Sequence, residues 1–104
     1  MKFLIGTYTD QTDSAGIYVI DNGQDDRFEV LAQATIWLRN ASYLIEHPVL
    51  PLVYAVSEIG EAPGGQVAVL RQDDEGHYGV WQTIGSGGLD PCHLSLSPNG
   101  RTLL

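Results

Sequence analysis

Two short stretches carry the side chains best suited to chemistry. The first is Asp90-Pro91-Cys92-His93-Leu94-Ser95-Leu96-Ser97-Pro98. Its histidine can accept or release a proton near neutral pH, as general acid–base catalysis requires. The second is Glu58, which closes the apolar run Leu52-Val53-Tyr54-Ala55-Val56-Ser57. A carboxylate there can orient a water or accept hydrogen bonds from hydroxyl groups, and in a partly dry channel its pKa is expected to rise. His93 and Glu58 are therefore the catalytic candidates. Asn40, Ser42, Tyr43 and Asp90 are the polar residues that would hold a ligand beside them.

Other reactive-looking residues have plainer readings. Cys92 next to His93 resembles a nucleophile–base pair, but neighbours on a strand point to opposite faces, so Cys92 is read as a small packing residue. Asp73-Asp74-Glu75-Gly76 lacks the spaced oxygens and closing glutamate of a calcium loop, and reads as a solvated hairpin turn. Gly85-Ser86-Gly87-Gly88 is followed by neither a lysine nor a helix, so it is not a phosphate loop. Trp37 and Trp81 are read as packing residues, and His47 and His77 as solvent-facing turn residues. No histidines or acids have metal-ligand spacing, so neither a metal nor a cofactor is expected.

The elements that must position these groups are short strands. Apolar runs rich in β-branched and aromatic residues recur as Phe3-Leu4-Ile5, Ile17-Tyr18-Val19-Ile20, Phe28-Glu29-Val30-Leu31, Leu52–Val56 and Val67-Ala68-Val69-Leu70. Turn signals separate them at Ser14-Ala15-Gly16, Asp21-Asn22-Gly23, Pro63-Gly64-Gly65, Asp73–Gly76 and Pro98-Asn99-Gly100. This reads as an all-β meander of antiparallel hairpins. Several runs are apolar at successive positions, which implies strands covered on both faces.

The chain also repeats itself. Asn40–Pro48 superposes on Asp90–Pro98 at an offset of 50, which places Leu44 on Leu94 and Pro48 on Pro98. Phe28–Leu31 falls on Tyr78–Trp81, and Ile17–Ile20 on Val67–Leu70, at the same offset. Phe3–Thr9 falls on Leu52–Glu58 at 49, which implies one inserted residue. A four-stranded unit of this length is the period of a propeller blade. With strands lettered A to D outward from the axis, the order is B-C-D, A-B-C-D, A-B. Residues 1–39 are then three strands of a first blade, 40–89 a second blade, and 90–104 the start of a third. All belong to the N-terminal part of a single propeller domain. A propeller closes with about four to eight blades, so a piece of about two blades is expected to come from a longer ring. The loops before strand A and after strand B gather at one mouth of its central channel, where His93, Glu58 and the polar set would meet.

Composition narrows the partners. Thirteen acidic against five basic residues leave a net charge of −8, which disfavours nucleic acid and anionic membranes. No apolar run approaches the ~20 residues of a membrane span, and the opening segment is not a signal peptide. A single cysteine allows no internal disulfide. A cytoplasmic location is expected.

Across nearly its whole length the chain resembles the seven-bladed propeller lactonases, which include bacterial 6-phosphogluconolactonases and fungal carboxymuconate cyclases. The resemblance lies in Phe3-Leu4-Ile5-Gly6-Thr7-Tyr8-Thr9, Gly16-Ile17-Tyr18-Val19, Asn40-Ala41-Ser42-Tyr43-Leu44, Leu52–Glu58 and Gly87–Arg101. It departs at Glu46-His47-Pro48-Val49-Leu50-Pro51, where the family commonly has Ser-Pro-Asp-Gly-Arg, and at Ser57-Glu58, where Asn-Glu is frequent. The resemblance implies a parent that hydrolyses a sugar lactone such as 6-phosphogluconolactone. The family's histidine and arginines lie on later blades, so no position here matches them and this stretch alone is expected to be inactive. A non-catalytic propeller that binds a partner or ligand, or a muconate-lactonising cyclase, are the alternatives. Bare strand edges and blade faces would favour self-association.

Overall fold

The computed structural model describes residues 2–22 and 28–104. The turn expected at Asp21-Asn22-Gly23 lies partly outside them. Seven strands follow one another: β1 (Lys2–Gly6), β2 (Gly16–Asn22), β3 (Phe28–Trp37), β4 (Ala41–Glu46), β5 (Leu52–Ser57), β6 (Gln66–Gln72) and β7 (Tyr78–Gly85). They form two antiparallel sheets, one of three strands in the order β1-β2-β3 and one of four in the order β4-β5-β6-β7. The fold is all-β, as the periodicity requires, with both sheets plain up-and-down meanders.

The apolar runs bury both faces where expected. In β5, Val53, Ala55 and Val56 are all buried, although successive side chains point to opposite sides. The core lies between the two sheets. Ile17 and Val19 of β2, with Ile36 and Leu38, meet Val53 and Ala55 of β5 and Ala68 and Leu70 of β6. Leu4 of β1 and Leu44 of β4 pack against this cluster. Complete burial of Ile17 and of Leu70 stabilises the sheet-on-sheet contact by about 1.5–3 kcal/mol each. At the inner edge β1 and β4 approach closely. A Cβ on Gly6 would lie 2.1 Å from the Ala41 carbonyl oxygen, so only glycine fits.

Register establishes the repeat more firmly than sequence matching, and corrects it at one place. Gly6 pairs with Ile17, and Val56 with Val67, each partner displaced by fifty. No residue is inserted between the β1 and β5 units, and the offset of 49 is one residue out. A one-residue slip would turn every β1 side chain to the other face and take Leu4 out of the core. The correct offset makes Tyr8, not Thr9, the counterpart of Glu58.

A third unit begins beyond β7. Glu46 pairs with Val53, and Leu96 with Leu103 fifty residues later. The first strand of the third blade is reduced to this single bridge. Hydrogen bonds between Ser95 and Leu104, in both directions at 2.8 Å, and from Ser97 N to the Thr102 carbonyl continue the ladder. Its turn is held by Asn99, whose Oδ1 accepts from the Ser97 hydroxyl and from Arg101 N.

In the preceding unit His47 takes over that task. Its Nδ1 accepts from Val49 N at 3.1 Å and Leu50 N at 2.9 Å, so the ring proton sits on Nε2 and points to the Gly100 carbonyl at 3.3 Å. His47 is therefore a half-buried turn cap, not the solvent-facing residue expected. His77 is exposed as anticipated, in a hairpin turn where Asp73 Oδ1 accepts from Glu75 N and His77 N. Both tryptophans, read as packing residues, are exposed. Trp37 is 65% accessible, and Trp81, at 59%, lies 5.3 Å beneath the Arg71 guanidinium. Among the described residues no helix is long and apolar enough to cross a membrane.

Candidate functional site

The site residues lie at the inner end of both sheets, where β1 and β5 finish and β4 starts. Asn40 organises the approach to β4. It has a left-handed backbone (φ 49°), which asparagine tolerates better than most residues. Its buried amide oxygen accepts from Thr9 N at 2.9 Å and Asp10 N at 3.0 Å. The amide nitrogen donates to Asp10 Oδ2 and to the Glu58 carbonyl, both at 3.0 Å. Asn40 thus ties the loop after β1 to the end of β5, and its side-chain hydrogen-bonding capacity is filled from within the chain.

Asp90 occupies the same place one unit later, with φ 51°. The choice of acid or amide follows from the neighbour. Asn40 faces the Asp10 carboxylate and needs a donor. Asp90 faces Gly60, the position that corresponds to Asp10, where a Cβ would come within 2.9 Å of its Oδ1. Asp90 is exposed, and its backbone N–H donates to Ile59.

A β-bulge aims the next residues. Ala41 pairs with Ser57 and Tyr43 with Val56, which leaves Ser42 as the extra residue. The bulge breaks the alternation, so Ala41 and Leu44 both serve the inter-sheet core while Tyr43 turns the other way. There its ring meets His93, with centroids 4.7 Å apart and planes tilted by 45°. The His93 nitrogens make no hydrogen bond among the described residues.

Glu58 pairs with a residue that the sequence reading did not single out. Tyr8 donates its phenolic hydrogen to Glu58 Oε2 at 2.6 Å. The expectation of a raised Glu58 pKa is overturned. The Tyr8 hydrogen bond, helped by the Ser42 hydroxyl, outweighs burial and lowers it, so the carboxylate stays ionised. The same bond raises the pKa of Tyr8, followed by desolvation and the Glu58 charge. Ser42 Oγ is buried and makes no well-formed hydrogen bond, yet it lies close enough to bias both groups. Cys92, expected to pack inside a blade, is exposed. A correct offset would have revealed Tyr8, because it is the Glu58 position of the preceding unit.

Arg39 stands beside this site and is held by two carboxylates. Its Nε and Nη2 grip both Asp10 oxygens at 2.8 and 2.9 Å, and Nη2 also reaches Glu61 at 2.8 Å. These carboxylates raise the Arg39 pKa, and Arg39 holds Asp10 down at about 2. The arginine staples three loops and presents no spare charge to a ligand. Among the described residues no cluster of three His, Cys, Asp or Glu could hold a metal.

Two radial antiparallel sheets, whose equivalent residues touch at the inner end, define a sector of a β-propeller. The family model "Lactonase, 7-bladed beta-propeller" matches residues 2–104, and the chain belongs to that family. The fold is similar to that of a candidate 6-phosphogluconolactonase from Bacteroides fragilis NCTC 9343, with a TM-score of 0.78 and 32% identity over 98% of this chain. It is also similar to one from Bacteroides uniformis ATCC 8492, with a TM-score of 0.74 and 27% identity over 99% of this chain. The chain spans 28% and 37% of the length of those two proteins. No curated protein matches it.

Proposed function

We propose that the ring to which this chain contributes hydrolyses the lactone of a polyhydroxy acid, with 6-phosphogluconolactone the substrate that the named neighbours point to. The observation that carries this reading is the meeting of His93 with Tyr43, beside Tyr8 and Glu58, at the inner end of adjacent sheets. His93 takes the proton of a water that attacks the ring carbonyl and returns it to the ring oxygen as the acyl–oxygen bond breaks, and the new carboxylic acid then ionises and releases a proton. Tyr43 holds the imidazole in place by packing against it at a tilt. The alkoxide that forms, and any phosphate on the substrate, need cationic partners. Arg39 is already paired with two carboxylates, so those partners belong to other blades and this stretch alone gives no turnover. An acidic chain with one free cysteine fits a cytoplasmic setting.

The test is proton release from the lactone, followed in a pH-stat with the full-length protein. His93→Gln is expected to lower kcat by about 10²–10⁴-fold, the range for loss of a general base. An unchanged kcat would remove His93 from the chemistry. A full-length protein with no lactone hydrolysis would favour a binding propeller.

A further inference from the structure

The lactonase reading leaves open which part of the substrate faces this sector. We infer that Tyr8, Glu58 and Ser42 form a subsite for the hydroxyl groups of the substrate, and that its anionic group binds on the far side of the hub. This inference rests on the reading above.

Three observations support it. Glu58 is clamped by Tyr8 through one oxygen only. A carboxylate has about four lone-pair positions, and Tyr8 with the nearby Ser42 hydroxyl fills at most two of them, so accepting capacity remains open. A sugar hydroxyl is the neutral donor that matches it. Next to it lies the buried Ser42 oxygen without a well-formed hydrogen bond. Such a group usually finds a partner, and the Ser42 hydroxyl lies within reach of Glu58 and Tyr8, where it holds both groups in place for a bound polyol.

The third observation is charge. Glu58, Asp90, Asp10 and Glu61 all belong to the loops at this end of the sheets. The described cation among them, Arg39, is shared between Asp10 and Glu61. Lys2 lies at the opposite end of β1, Arg71 lies on Trp81 towards the outer strand, and Arg101 is in the turn of the third unit. A phosphate or carboxylate placed against Glu58 would meet like charge without compensation.

The test measures equilibrium binding to the full-length protein by ligand-observed NMR titration. The probes are uncharged D-glucitol and anionic D-gluconate. Removing a charged acceptor is expected to weaken hydroxyl binding by about 10–100-fold, so Glu58→Gln should weaken both probes alike. Tyr8→Phe, at a residue 55% accessible and tolerant of substitution, should weaken both several-fold. If the anionic end sat here, Glu58→Gln would remove a like charge and gluconate would bind more tightly, which overturns the inference. Affinities unchanged in both variants, or a wild-type protein that binds neither probe, also overturn it. Lactone hydrolysis is assayed separately. Glu58-dependent polyol binding without hydrolysis defeats the lactonase reading alone. Hydrolysis with polyol binding indifferent to Glu58 and Tyr8 defeats this inference alone.

Discussion

Replacing Asn40 tests whether the mouth of the site is built by one side chain. Asn40→Ala strands two N–H donors, of Thr9 and Asp10, and the Glu58 carbonyl. Stranded buried donors cost about 1–3 kcal/mol each, and a left-handed alanine at φ 49° costs about 1–2 kcal/mol more. Water can reach the half-exposed Asp10 side, so the expected loss is about 3–5 kcal/mol, a large fraction of the stability of an ordinary domain. Asn40→Asp keeps the acceptor and the tolerant backbone but sets a second carboxylate against Asp10 Oδ2. It should cost less than alanine at neutral pH, and less still as acid protonates one of the two. Pairing it with Asp10→Asn restores a donor opposite an acceptor and should recover part of the loss. Amide hydrogen exchange of Thr9 and Asp10 in the full-length protein reads these changes locally. Protection should fall in Asn40→Ala and survive in Asn40→Asp. If alanine left both amides protected, or if aspartate were as stable as asparagine at neutral pH, the argument that Asp10 dictates the amide at position 40 would fail.

Three further outcomes follow from the same structure. The Asp10 pKa is lowered from 3.8 to about 2 by Arg39 first and then Asn40. The stabilisation is complete above the unfolded value and is lost as pH falls through the folded one. Wild-type melting temperature should therefore drop more steeply than that of Arg39→Gln between about pH 4 and about pH 2, with equal slopes the refuting result. The effect should shrink in high salt because both side chains are partly exposed. Leu70→Ala, at a fully buried position of the inter-sheet core, should cost about 2–5 kcal/mol by denaturant midpoint; a loss well under about 1 kcal/mol would mean that the two sheets are not tightly packed. On its own the chain should self-associate, because β1 has a sheet neighbour on one side only among the described residues and Phe3 and Ile5 are exposed. A monodisperse monomer in sedimentation would contradict this.

The fold was legible because strand signals are local. Each β-branched run between turn residues became a strand, and the fifty-residue period placed the sheets in order. The slip at β1 shows the limit of the method. Phe3–Thr9 matches Leu52–Glu58 by residue type, but the constraint that fixes register is which face meets the core, and only the paired partners reveal it. The site was legible in part. Glu58, Ser42, Tyr43 and His93 were chosen by type and position, and the structure sets Tyr43 against His93 and Ser42 near Glu58. Tyr8 was missed because of the slip, and the direction of the Glu58 pKa was misjudged for the same reason, since its cause is the Tyr8 hydroxyl. Asn40 reads as a ligand group until its partners are seen, and Arg39 draws no notice until its own are. The carboxylates that engage them, Asp10 and Glu61, come from loops distant in sequence.

The contacts between equivalent positions carry a further consequence. Tyr8 touches Glu58 and Tyr43 touches His93, each pair fifty residues apart. In a ring of radial blades equivalent points separate in proportion to their distance from the axis, so only residues near the hub can meet their own counterparts. For a seven-fold ring, a spacing of 4.7 Å corresponds to a radius of about 5 Å. At that radius a residue's nearest neighbours are the same position in the adjacent units, and a change at one unit is felt at the next. Identity between units is therefore least useful at the hub. Two tyrosines at the position of Tyr8 and Glu58 would give neither the ionised acceptor nor its clamp. Two histidines at the position of Tyr43 and His93 would oppose each other's protonation. The divergence between repeats at these positions, against their agreement at Leu44 and Leu94, is the physical signature of a site assembled from unlike copies of one unit.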